Sequence, residues 1–177
     1  MLFADLDPHV RKLMLDEVAR DIRQVRLFRS PRLTDKGWRD YPALLRQAVQ
    51  AKDVAWLTAE LQRAGRLKLL ETRRLAGGPM LACVPHTAAA TLAEGEFNRF
   101  YIRALCLAAL ERGESAVEIC RTKPVAKARP RSQAKIGALL DAQALLDDLR
   151  TNNAVDPALG VPAGPNSGLS VKRLRSA

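Results

Sequence analysis

Leu92-Ala93-Glu94-Gly95-Glu96-Phe97-Asn98-Arg99-Phe100-Tyr101-Ile102-Arg103-Ala104-Leu105-Cys106 is the stretch that decides the fold. It holds three of the chain's eight aromatic residues within five positions. Thr87 stands where a helix cap would, and Gly113 stands where the helix would stop. Between Ala104 and Leu110 the segment is apolar on every face. A helix of that kind sits inside a protein, so the sequence predicts a long central helix with the rest of the fold wrapped around it.

On the N-terminal side, Asp7-Pro8 predicts a helix start, with Asp7 as cap and Pro8 at the first helical position. Val10, Leu13, Met14, Val18, Ile22 and Val25 recur at spacings of three and four and form one apolar stripe. Phe28 to Pro31 ends that helix, because the residue before proline is pushed out of helical geometry. A second helix is predicted from about Asp40 to Gln50, starting at Tyr41-Pro42. A third is predicted from Asp53 to Ala64, with Trp56, Leu57 and Leu61 inward. Arg66–Arg74 and Met80–Val84 flank Gly77-Gly78-Pro79, which predicts a hairpin of short strands.

On the C-terminal side, Ala116–Arg121 alternates as a strand does. Arg121 to Lys135 carries six basic residues and no acidic ones, with prolines at 124 and 130, and predicts an exposed loop. A last helix is predicted from Ile136 to Arg150, with Leu139, Leu140, Leu145, Leu146 and Leu149 inward. Residues 151–177 are rich in Pro and Gly, which rules out helix and predicts an extended arm. Within that arm Leu169, Val171 and Leu174 alternate, as a segment that adds a strand to another sheet does. The fold class is therefore α+β and predominantly helical. One compact domain, residues 1–150, has a long central helix and a few short strands, and the arm follows it.

Charge narrows the partners. The chain carries 29 Lys and Arg against 19 Asp and Glu, a net +10, and such a field attracts polyanions and acidic surfaces. Residues 1–80 are net +6, residues 81–120 net −2 and residues 121–177 net +6. An acidic middle between basic flanks suits neighbouring copies that dock head to tail. Cys83, Cys106 and Cys120 match no metal or redox spacing, and they predict free thiols in a reducing compartment. The acidic start lacks the basic-then-apolar order of a signal peptide, and no apolar run is long enough to span a bilayer. A protein made in the cytoplasm, with no membrane partner, is predicted.

Signals for catalysis are weak. Glu94 and Glu96 lie two apart on the helix, so their side chains point in nearly opposite directions and do not share one site. No phosphate loop, nucleophile elbow or metal constellation is present, and no cofactor is predicted. Arg99 and Arg103 are four apart on one helical face and form the sharpest candidate anion or partner site. If the helix is buried, both need acidic partners, either Glu96 or a group from another chain. Arg121, Lys123, Lys127, Arg129, Arg131 and Lys135 form the second candidate surface. Without an aromatic among them, they suit phosphate-backbone or acidic-protein contact and not base stacking.

The run Leu92–Cys106 and the ending Gly164-Pro165-Asn166-Ser167-Gly168-Leu169-Ser170-Val171 resemble uncharacterised proteins of tailed-phage or prophage origin. That resemblance implies a small virion structural or accessory component whose extended arm reaches a neighbouring subunit. The reading is a non-enzymatic assembly protein that contacts other protein subunits. The alternative is a nucleic-acid-binding protein using a basic surface.

Overall fold

A computed structural model describes residues 1–76, 78–162, 164 and 167–174. Gly77 of the expected turn and Pro165-Asn166 of the tail motif lie outside the described residues. In chain order the elements are α1 (Pro8–Arg23), α2 (Asp35–Ala51), α3 (Val54–Gln62), β1 (Leu70–Leu75), β2 (Gly78–Cys83) and α4 (Ala88–Glu111). They continue with β3 (Ala116–Arg121), α5 (Pro130–Gln133), β4 (Leu139–Asp141), α6 (Ala142–Thr151), α7 (Val155–Ala158) and β5 (Leu169–Lys172).

The central helix is α4, 24 residues long, and α1, α3 and α6 pack around it. Phe97, Phe100, Tyr101, Ile102 and Leu105 are all buried along it. The expected cap is absent: Thr87 is itself helical in backbone and makes no side-chain bond to the first turn. Elsewhere caps do close the helices. Asp7, Thr34, Asp53 and Asp141 each accept a backbone N–H of the turn that follows. Such bonds each contribute about 1 kcal/mol.

Several helix boundaries differ from the sequence reading. Helix α2 starts at Asp35, capped by Thr34, and runs through Pro42 instead of starting beside it. Gly37 lets this first turn lie against the chain after α3, since a Cβ there would stand 2.0 Å from the Arg66 carbonyl oxygen. The helix expected last is α6, which starts at Ala142 and not at Ile136, and the short helix α7 follows it within the segment expected to hold no helix. Gly137 takes φ +86 and breaks the helix, and Asp141 caps the new one. Leu139, expected inward, is 59% exposed on strand β4. Val25, expected in the apolar stripe of α1, lies beyond the helix end at φ 55 and is exposed.

There are two sheets among the described residues. Strands β1 and β2 form an antiparallel pair running from Leu70↔Cys83 to Leu75↔Gly78. The second sheet has the order β4-β3-β5, antiparallel throughout. Strand β5 comes from the segment expected as an arm. It pairs Leu169 to Lys172 with Arg121 to Glu118 of its own chain, and Leu169 and Val171 are buried in the core. Residues up to Leu174 thus belong to the same body as residues 1–150. Alternation predicts that this segment is a strand; it does not specify whose sheet receives it. Gly168 makes the docking close, because a Cβ there would meet the Lys123 carbonyl oxygen at 2.7 Å.

Candidate functional site

Arg99 and Arg103 do not face a partner. Both are buried at 1% exposure or less, and their acidic partners come from the same chain. Arg103 Nε donates to Glu17 at 2.7 Å, and its Nη1 donates to Asp21 at 2.8 Å. Arg99 reaches Asp21 at 3.1 Å and Glu96 at 2.8 Å. From α6, Arg150 donates to the far oxygen of Glu17 at 2.6 Å. Three carboxylates and three guanidiniums thus balance, and they tie α1, α4 and α6 together. Both α4 arginines also lie over the Phe100 ring, with centroid distances of 4.4 and 4.9 Å. A buried guanidinium with its donors occupied has nothing left for a ligand.

The cluster sets its own electrostatics. Burial pushes the Glu17 carboxyl up, but hydrogen bonds from Arg150 and the charge of Arg103 outweigh this and hold it below the usual range. At Glu96 the balance reverses: burial raises the carboxyl further than Arg99 lowers it. The Tyr41 hydroxyl, which donates to Glu96, is raised well above its ordinary value by burial and by that neighbouring charge. These groups are a structural lock between helices.

The basic segment splits in two. Arg121 donates to the Ser167 carbonyl, Lys123 to both oxygens of Glu94 at 2.6 and 2.8 Å, and Arg129 to Asp156 and the Pro162 carbonyl. Arg121 and Arg129 thus pin the returning tail to the body, and Lys123 ties the segment to α4. Lys135 lies beside Gly160. Lys127 and Arg131 are exposed and make no ion pair among the described residues. Of the arm residues, Leu169 and Val171 are core, and Leu174 is half-buried.

The surface that remains open is the β1–β2 ribbon. In its register Leu70 and Cys83, Thr72 and Leu81, and Arg74 and Pro79 share one face. All six are exposed: Leu70 by 46% and Leu81 by 64%. Leu69 beside the base, at 87%, and Met80, at 48%, add to the exposed apolar area. On the opposite face Glu71 is held by Arg32 at 2.6 Å, which ties the base of that face to the body, and by its strand neighbour Arg73 at 2.9 Å. Sequence reading finds the hairpin but misses this face, because the alternation is weak. The usable signal was the register: once the turn is placed, Leu70 and Leu81 fall together on the side without the salt-bridged glutamate.

No family model, curated protein or solved structure matches this chain, so the site is read from its own geometry. No helix among the described residues is long and apolar enough to cross a membrane.

Proposed function

We propose that this protein is a non-enzymatic assembly component that associates head to tail with further copies of itself, the β1–β2 ribbon of one copy docking on the β4 end of the next. The observation that carries this reading is the ribbon's exposed apolar face. A two-stranded ribbon with no sheet or helix over it is marginal in water, and apolar faces of this kind mark interaction surfaces.

Charge complementarity selects the occupant. From residue 68 to residue 84 the ribbon carries Lys68, Arg73 and Arg74 against the single carboxylate Glu71. At the opposite kind of surface, β4 is an edge strand with Leu139 exposed, and Ile136 nearby is 38% exposed. Asp141 ends the strand and caps α6, and the Ala142 N–H bonds to the Ser115 carbonyl, which brings the Glu114–Arg112 ion pair alongside. The apolar, basic ribbon is thus matched to an apolar edge on which Asp141 is the carboxylate without an ion pair among the described residues. Such an interface is heterologous: it leaves one donor and one acceptor surface free at each end, and closes only as a ring. A virion assembly, as the resemblance implies, is the specific setting this reading favours.

Light scattering after size exclusion tests it on the full chain over a range of concentrations. The expected result is mass that rises with concentration, with Leu81→Asp held at monomer mass. A wild-type chain that stays monomeric at the highest soluble concentration overturns the reading.

Nucleic-acid binding is the second reading. It is favoured by Arg39 and Arg46, which lie on the exposed side of α2 without an ion pair among the described residues, together with Lys127 and Arg131. It predicts retention of nucleic acid that falls steeply with salt, through counterion release.

A further inference from the structure

A second surface has no part in that assembly. A cleft of about 670 Å³ opens over the N-terminal half of α4, walled by the Phe28–Arg32 loop, Lys123, the Asn152–Pro157 turn and Leu169. Its volume lies within the range of small-molecule sites, roughly 300–1,000 Å³. Of the α4 residues that line it, Thr91, Gly95 and Asn98 fall on one helical stripe at spacings of four and three.

Two of these residues are unexplained by packing. Asn98 is 4% exposed. Its Nδ2 donates to the Leu169 carbonyl at 2.8 Å, which fixes the orientation of the amide. Its Oδ1 is buried without a hydrogen-bond partner. An unsatisfied buried acceptor costs about 1–3 kcal/mol, so one is kept where something supplies a donor. Gly95 is the other. A glycine inside a helix costs roughly 0.5–1 kcal/mol relative to alanine. Elsewhere in this fold glycines answer to crowding, as at Gly37 and Gly168, or to positive φ, as at Gly78, Gly113 and Gly137, but Gly95 is helical and a Cβ there would meet nothing within 4 Å. The missing side chain leaves the cleft floor open.

The geometry points to a binding site for a small apolar molecule that ends in a hydrogen-bond donor, an amine or a hydroxyl, received by Asn98 Oδ1. Phe28, Leu92, Val155 and Leu169 line the space for the apolar body. The wall also disfavours an anion, because its charged side chains are already paired. Arg32 is held by Glu71 and Lys123 by Glu94, both at 2.6 Å, while Glu96 pairs with Arg99 and Asp156 with Arg129. An incoming carboxylate or phosphate finds no free side-chain guanidinium or ammonium among the described lining residues, and Asn98 Oδ1 accepts hydrogen bonds and donates none.

Three probes of matched shape separate the possibilities: 4-phenylbutylamine, 4-phenylbutanol and 4-phenylbutyrate, titrated at neutral pH into the full chain labelled with nitrogen-15. The expected result is saturable shifts of the Gly95 backbone amide and the Asn98 side-chain amide with the amine and the alcohol. Binding of the carboxylate is weaker by about tenfold or more, a factor that corresponds to 1.4 kcal/mol. Gly95→Leu fills the floor and abolishes the shifts. Thr91→Phe, at an exposed position on the same stripe, does so from the mouth if Gly95→Leu fails to fold. Equal binding of all three probes overturns the inference, as do shifts confined to residues outside the cleft, or binding that survives in a folded blocking variant. None of these outcomes depends on the chain's oligomeric state.

Discussion

The ion cluster on α4 and the β1–β2 ribbon invert the usual placement of side chains. In the cluster five charged groups lie inside the fold with Arg150 half-buried at its edge, and in the ribbon large apolar groups lie outside it. The difference between them is satisfaction. Every guanidinium in the cluster has carboxylates within hydrogen-bond distance, so the charges are complete and available to nothing else. Leu70 and Leu81 are 46% and 64% exposed among the described residues, so much of their apolar area stays in water in the monomer. The buried charges therefore speak to stability and the exposed apolar residues to association, the reverse of a first reading by residue type.

Breaking the cluster has the largest expected effect. Arg103→Met leaves Glu17 and Asp21 buried with reduced compensation, and a loss of about 3–5 kcal/mol is predicted, measured by urea unfolding. A loss below 1 kcal/mol would show that water or other groups replace the arginine.

Acid titration sharpens the same side of the comparison. Glu17 is held below its ordinary 4.5, so the unfolded chain takes up more protons there as pH falls. Its stabilisation is complete above 4.5 and is lost as pH drops through the folded value. Glu96 has the opposite sign: its raised carboxyl makes stability fall as pH rises from 4.5 through the folded value. In thermal unfolding against pH, Glu17→Gln flattens the acid loss, and Glu96→Gln removes the opposing fall above it. Identical pH profiles for both variants would contradict these assignments.

Smaller effects belong to the surface. Gly95→Ala is predicted to stabilise the chain by roughly 0.5–1 kcal/mol, since the added methyl meets open space and the helix gains propensity. Leu81→Asp is predicted to change monomer stability by only about 0.5 kcal/mol while abolishing association. Lys127→Glu with Arg131→Glu is predicted to leave both stability and self-association unchanged, because neither residue makes an ion pair among the described residues.

Much of this architecture is legible in the sequence. The central helix follows from its all-round apolar stretch, α1 from Asp7-Pro8 and its stripe, and the strand at Ala116–Arg121 from alternation. Local signals also mislead where a stronger local feature competes. Pro42 reads as a helix start although Thr34 caps the helix earlier, and Leu139 and Leu140 read as helix until Gly137 and Asp141 are weighed. The candidate sites fare worse, because spacing places Arg99 and Arg103 on one face without saying that Glu17, Asp21 and Arg150 meet them there. Those pairings span between 78 and 133 residues of sequence, and no local pattern encodes them. The same holds for the tail: Leu169 and Val171 announce a strand, while its partner β3 is set by tertiary docking.

Mixing two interface variants tests the head-to-tail account most directly. Leu81→Asp disables the ribbon and leaves the β4 edge intact, whereas Leu139→Asp does the converse. Each alone should scatter as a monomer, and an equimolar mixture should scatter as a dimer that grows no further. If Leu139→Asp assembles as the wild type does, or the mixture stays monomeric, the ribbon does not dock on the β4 edge of a neighbouring copy.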